Sequence, residues 1–309
     1  MSKLSIIIPV YYNQDNLIPL YDDIIAKIVQ TADFEYEIVM VDDGSQDESW
    51  HVMQHLAGID KRVKIIKLSR NFGSHAAILC GMSHCTGDCA VIKAADLQEP
   101  TEIILDMYNS WKRGNNVVLA VREGREDKSF FSSLYYWMTR KFALENMPKG
   151  GFDVFLVDRR VIEVLDKLDE KNSAITGQIL WSGFKTDKIY YTRKARKIGK
   201  SRWTLKKKIK LVADTLFGFS NLPITAVTTV GAVSCIGSAL WALYVLIGKF
   251  MGDIPIQGFT TLFIFQLFSF GIIMLTLGIL GGYIWRSFDA SRNRPVYIVE
   301  ETANGDKRA

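Results

Sequence analysis

The side chains best suited to chemistry in this 309-residue sequence are acidic and cationic groups that recur just after strand-like runs. Asp42, Asp43, Gly44 and Ser45 follow the run at 37–41, and Asp96, Leu97 and Gln98 follow the run at 89–93. Pro9, Tyr11, Tyr12 and Asn13 close the first run, 5–10, while Arg122 and Arg125 follow the fifth, 116–121. Carboxylate and amide oxygens suit hard divalent cations. An Arg fork donates two parallel hydrogen bonds to a phosphate. Further along, Asp153 and Asp158 bracket residues 154–157, and Lys200, Ser201 and Arg202 stand in a basic stretch.

Each group has a structural alternative. Asp-Gly-Ser is also an ordinary turn whose Ser or Asp caps the next helix. Asp96 stands where an N-cap ahead of Pro100 and Glu102 would stand, and Asp153 and Asp158 could simply bound a sixth strand. His51 and His55 have the i, i+4 spacing of metal ligands, but no third ligand is near them, and a solvated helix face is the better reading. Cys80, Cys85, Cys89 and Cys235 match no zinc spacing and read as small buried thiols.

The elements that must position these groups alternate. Strand-like runs at 5–10, 37–41, 63–68, 89–93 and 116–121 are separated by helix-like stretches such as 17–30 and 49–56, which predicts a mostly parallel α/β sheet with helices on both faces. Ligands then belong at the carboxyl ends of the strands. No Gly-x-Gly-x-x-Gly follows the first run and no Gly-x-x-x-x-Gly-Lys-Ser occurs anywhere, so dinucleotide binding and a phosphate-loop ATPase both lack their mechanical parts.

Residues 226–248 and 259–285 contain no acidic or basic side chain, over lengths that match a ~30 Å hydrocarbon core. They predict two transmembrane helices. Lys194, Arg196, Lys197, Lys200, Arg202, Lys206, Lys207 and Lys208 precede the first, and Arg286, Arg292 and Arg294 follow the second, so both ends are expected in the cytoplasm. The N-terminus opens on a strand-like run rather than a signal peptide, so the soluble part is expected to stay in the cytosol. The expected organisation is a catalytic domain at 1–200, a juxtamembrane region at 201–225, the hairpin at 226–286 and a cytoplasmic tail at 287–309 whose residues 301–309 are disordered. Residues 205–219 interleave lysines with apolar side chains and suit the membrane interface. The apolar stripe within 130–147 is expected to pack on its own domain. The lysines at 206–210 suit anionic lipid headgroups, and no nucleic-acid partner is expected. A homo-oligomer is compatible with the sequence, which encodes no particular state.

The segments IIIPVYYNQDNL, IVMVDDGSQDES, LSRNFGSHAAILCGMSHCTGD, AADLQEP, VREGRED, GGFDVFLVDRR and GKSRW occur in that order ahead of the two spans. In them the chain resembles the polyisoprenyl-phosphate glycosyltransferases, the dolichol-phosphate mannose synthases and bactoprenol glucosyltransferases of the inverting GT-A superfamily. The resemblance implies a GT-A-like fold and transfer of a hexose, by default glucose from UDP-glucose, to a polyisoprenyl phosphate such as undecaprenyl phosphate, with inversion. It assigns the nucleotide sugar to Pro9, Tyr11, Asp42, Asp43 and Asp96, and a Mg²⁺ or Mn²⁺ ion to Asp96 and Gln98. The lipid phosphate falls to Arg122, Arg125, Lys200, Ser201 and Arg202, and catalysis to Asp96, Arg122 and Asp158.

One departure bears on the metal. The family's usual text is Asp-Ala-Asp-Leu-Gln, whereas here the first position is Ala94, so one charged ligand is missing and weaker metal binding is expected without donor. That substitution also keeps open an inactive membrane scaffold. A processive polysaccharide synthase would carry Gln-x-x-Arg-Trp and more spans, but residues 178–181 read Gln-Ile-Leu-Trp. A lipid phosphate is already anionic, so the reaction needs little general base. Its demands are positioning and cations to stabilise the departing diphosphate.

Overall fold

A computed structural model describes residues 1–29, 34–123, 130–168, 170, 173–192, 205–251 and 258–305. The chain divides into two units, Met1–Thr215 with Pro295–Ala309, and Leu216–Arg294.

The first unit is built on an eight-stranded sheet. Six strands run parallel: β1 Lys3–Val10, β2 Glu35–Asp42, β3 Val63–Leu68, β4 Cys89–Ile92, β5 Val117–Glu123 and β7 Thr186–Thr192, while β6 Phe152–Asp158 and β8 Val299–Ala303 run against them. Their order is β7-β5-β6-β4-β1-β2-β3-β8. The inner strands are apolar on consecutive residues, as Ile6, Ile7 and Ile8 are, because helices cover both faces of such a sheet. The helices are α1 Gln14–Ile24, extended by a π-helical turn at Ile25–Val29, then α2 Ser49–Ile59, α3 Ser74–His84, α4 Ile103–Lys112, α5 Phe130–Phe142, α6 Arg159–Lys167 and α7 Ile175–Trp181, and α8 Leu205–Phe219 begins in this unit. The predicted α/β architecture is therefore the observed one.

Three features were not legible along the chain. β6 is antiparallel, so its first residues lie at the edge where the parallel strands end, with Val121 beside Phe152 and Cys89 beside Asp158. The C-terminal segment is not wholly disordered, since β8 pairs with β3 and Asn304 Nδ2 donates to the carbonyls of Ala57 (2.7 Å) and Val63 (3.1 Å). An edge strand tolerates polar side chains because its ladder is made by the backbone, so polarity alone misread it. The third is a buried acid at the amino end of the sheet. Glu37 accepts from Ser5 Oγ (2.6 Å), Thr86 N (2.5 Å) and Thr86 Oγ1 (2.7 Å), and lies 3.0 Å from both Lys3 Nζ and Lys64 Nζ.

The second unit holds α9 Leu222–Met251 and α10 Phe259–Ser291. Within them Leu222–Tyr244 and Phe265–Ser291 are long and apolar enough to cross a membrane. Trp241 (65% exposed) and Ile284 (68%) are uncovered, whereas a core helix of a soluble domain would bury such side chains. The first helix starts at Leu222, four residues before the predicted span, with Pro223 in its opening turn where a missing N–H costs nothing.

Candidate active site

The segments leaving the carboxyl ends of the parallel strands carry most of the residues singled out above. Pro9 fits inside β1 because Ile7, two residues back and facing the same neighbour, takes the last bond from the β4 side, Lys93 N at 2.9 Å. The missing N–H of Pro9 falls past the end of that ladder. Tyr12 then turns the chain with φ +55°, a conformation that costs a non-glycine residue of order 1 kcal/mol and persists only where its surroundings impose it. Here Tyr12 N donates to Ser45 Oγ (2.9 Å) and Asn13 N to Ser49 Oγ (2.9 Å), tying the first turn to the second.

Gly44 occupies the second turn at φ +70°, and a Cβ there would stand 2.6 Å from the carbonyl carbon of Arg70. Only glycine allows this approach. These turns and residues 67–71, at the end of β3 and just beyond it, surround a cavity of about 360 Å³ lined by Tyr11, Tyr12, Gly44, Ser45, Gln46 and Arg70, with Glu300 of β8 in its wall.

The two acids of the second turn assigned to the nucleotide sugar behave differently. Asp42 is fully buried; Oδ1 accepts from Ser45 N (3.1 Å) while Oδ2 is unsatisfied, and burial pushes the carboxyl upward against the Ser45 bonds. Asp43 bonds the next loop, Oδ1 accepting from Phe72 N (2.7 Å) and Oδ2 from Gly73 N (2.9 Å). Charge-assisted bonds of this kind hold the loop after β3 in place.

Asp96 and Gln98 lie half-buried on the loop after β4, where Asp96 Oδ1 accepts from Gln98 N at 3.3 Å and the intervening Leu97 adopts φ +56°. Among the described residues no group of three His, Cys, Asp or Glu side chains could hold a metal. One carboxylate and one amide oxygen fit Mg²⁺ or Mn²⁺ when phosphate oxygens and water complete the shell. Beneath the loop lies Lys93, fully buried, its Nζ donating to Glu99 O at 2.5 Å and lying 4.0 Å from Glu99 Oε2. Sequence reasoning missed it. A lysine at the end of an apolar strand was the available signal, since burying that charge is costly without partners.

Arg122, at the end of β5, is 12% exposed and forms an ion pair with Asp153. Its Nε donates to Tyr191 Oη of β7 at 3.4 Å. Asp153 is 58% exposed and sits at the start of the reversed strand β6, at the same edge of the sheet as Asp96. Asp158 does not come to this site. It ends β6 beside Cys89, at the opposite edge, where it caps α6 (Arg160 N to Oδ1, 3.0 Å) and accepts from Trp111 Nε1 (2.8 Å). Burial alone would raise its carboxyl, but the Trp111 and Arg160 donors hold it below the usual range. The predicted catalytic Asp158 therefore lies at the opposite edge of the sheet from Asp96 and Arg122, at the cap of α6, because the seven-residue antiparallel strand β6 runs between the two edges. Arg125, Lys200, Ser201 and Arg202 lie outside the described residues.

The site residues form one row along the sheet edge. From β3 to β5 the order crosses five strand intervals, roughly 24 Å at ~4.8 Å each, with the cavity over β1, β2 and β3, Asp96 over β4, and Asp153 with Arg122 beyond.

Residues 5–162 match the family described as glycosyl transferase family 2. The chain is 36% identical over 304 residues to the uncharacterized glycosyltransferase YkcC of Bacillus subtilis (strain 168), covering 97% of this chain and 94% of that one. It is 30% identical over 302 residues to the bactoprenol glucosyl transferase of Shigella phage SfV, covering 96% and 98%. A solved structure described as a mycobacterial protein superposes with TM-score 0.50 at 15% identity, over 72% of this chain and 77% of that one.

Proposed function

Because the chain belongs to glycosyl transferase family 2 and is a glycosyltransferase, we propose that it moves a hexose, by default glucose from UDP-glucose, to a polyisoprenyl phosphate such as undecaprenyl phosphate. The observation that carries this reading is the row of groups on one sheet edge, a cavity at one end and the Arg122–Asp153 pair at the other, in a chain that also has two uncovered apolar helices. The full-length similarity to a bactoprenol glucosyl transferase supports the lipid acceptor.

In the proposed reaction a phosphate oxygen of the lipid attacks the anomeric carbon, and the bond from that carbon to the diphosphate breaks with its electron pair leaving on the nucleotide. Attack opposite the leaving group inverts the anomeric centre. No proton has to be removed from the acceptor, which accords with a site dominated by positioning and charge. The Arg122 guanidinium is suited to hold the lipid phosphate, with Asp153 fixing its fork. Asp96 and Gln98 would hold the divalent ion, which when bound neutralises charge on the diphosphate. Ala94 favours a second reading, an inactive scaffold that binds nucleotide without turnover.

The test is transfer of radiolabelled sugar from a panel of UDP and GDP sugars to undecaprenyl phosphate by the detergent-purified protein, with Mg²⁺, Mn²⁺ or EDTA. Label should enter the lipid phase only with metal and be lost in Asp96→Ala. Nucleotide binding without transfer from any donor would establish the scaffold instead.

The same proposal places both termini in the cytoplasm. Basic residues stand before the first apolar helix and after the second, which supports entry and exit on one side of the membrane. In intact cells a membrane-impermeant maleimide should then label Asp253→Cys in the connection between the helices, in a background lacking Cys235, and should not label Ser2→Cys. Equal labelling of the two would refute this orientation.

A further inference from the structure

We propose that Glu300 and Lys67 together read the keto–imino edge of the donor's nucleobase, so that the C-terminal strand selects uracil or guanine against cytosine and adenine. This rests on the nucleotide-sugar reading above. Glu300 reaches the cavity through an irregularity in the sheet. Lys67 pairs with Glu301 and Leu68 with Val299, so Glu300 is the extra residue of a β-bulge and stands outside the ladder. Bulges re-aim side chains, commonly beside functional sites. Among the described residues, Glu300 is the one cavity-lining group that comes from beyond the apolar helices.

The Glu300 carboxylate lies 3.4 Å from Lys67 Nζ, and both side chains line the cavity while remaining partly exposed. An ionised carboxylate only accepts and an ammonium only donates, so the pair presents an acceptor beside a donor. Uracil offers the complement in O4 and N3–H, and guanine in O6 and N1–H. Cytosine and adenine place an amino group and a bare ring nitrogen at the same two positions. In the nucleotide-sugar reading above, a diphosphate held at the Asp96 loop would keep the base from reversing to exchange them. An amino group would then meet Lys67 and a lone pair would meet Glu300, both repulsive.

Calorimetric titration of the full-length protein in detergent with Mg²⁺ and UDP, GDP, CDP or ADP tests this. The wild type should bind UDP, GDP or both at least roughly tenfold more tightly than CDP and ADP, the discrimination expected of one well-placed pair. Glu300→Ala and Lys67→Met should each shrink that ratio toward one, and Glu300→Gln, whose amide can both donate and accept, should shrink it partly. Thermal unfolding should change little in Glu300→Ala because β8 is held by its backbone. Unchanged discrimination in these variants, or equal weakening of all four nucleotides, would overturn the role of Glu300 and leave the donor site standing. A wild type that binds none of the four would remove the donor reading itself.

Discussion

Replacing Arg122 by methionine is expected to lower kcat/KM for the lipid acceptor by about 10³-fold, equivalent to about 4 kcal/mol of transition-state stabilisation. Methionine keeps most of the side-chain volume and removes the fork. The Asp153 carboxylate left behind is 58% exposed and can be solvated, so the fold should survive with little loss of melting temperature. Asp153→Asn should weaken the same step less, by roughly 10–100-fold, because it loosens the guanidinium without deleting it. Asp158→Ala should behave oppositely. It removes an N-cap and the acceptor for Trp111, costing about 1–2 kcal/mol of stability, while acceptor kinetics change less than about threefold. Steady-state transfer to a water-soluble polyprenyl phosphate, with melting curves alongside, separates the cases. Loss of transfer in a well-folded Asp158→Ala together with a silent Asp153→Asn would reverse the assignment.

Acidification should destabilise the soluble unit through Glu37. Burial by itself would raise this carboxyl, but bonds from Ser5, Thr86 and Lys3 outweigh it and bring it from its ordinary 4.5 down to about 2. The folded state therefore binds the proton more weakly than the unfolded chain. The resulting stabilisation, of order 3 kcal/mol, is fully present above pH 4.5 and is lost as the pH falls through about 2. The side chain is only 2% exposed, so solvent screens the interaction little. Glu37→Gln should lower stability at neutral pH by a comparable amount, since Lys3 and Lys64 lose their counter-charge and one amide cannot accept every bond. The difference in unfolding free energy between wild type and variant should narrow steadily from pH 5 to pH 2. A difference independent of pH would show that Glu37 contributes through packing alone.

Much of the fold could be read in advance because it depends on local properties. Runs of β-branched residues alternating with helical stretches indicated the parallel sheet, and the two apolar stretches between basic flanks indicated the helices able to cross a membrane. The turns that carry Tyr11, Asp43 and Asp96 could be located because such turns follow strand ends. What those residues bond to could not. Asp43 reads the same in the sequence whether its carboxylate faces solvent or, as here, holds the amides of Phe72 and Gly73.

The amino-acid sequence by itself determined the fold class, the presence of two apolar helices and the strand ends where a site must lie, since each follows from composition and periodicity over a few neighbouring residues. Only the tertiary structure decided which acid joins Arg122. Asp153 and Asp158 flank the same short strand, and its antiparallel direction, set by pairing with β4 and β5, puts Asp153 at the site and Asp158 at the far edge. Likewise only the structure brought Glu300 to Lys67. Residues separated by more than two hundred positions meet there because β3 offers an open edge whose unpaired backbone groups gain partners from β8, a preference no local pattern encodes.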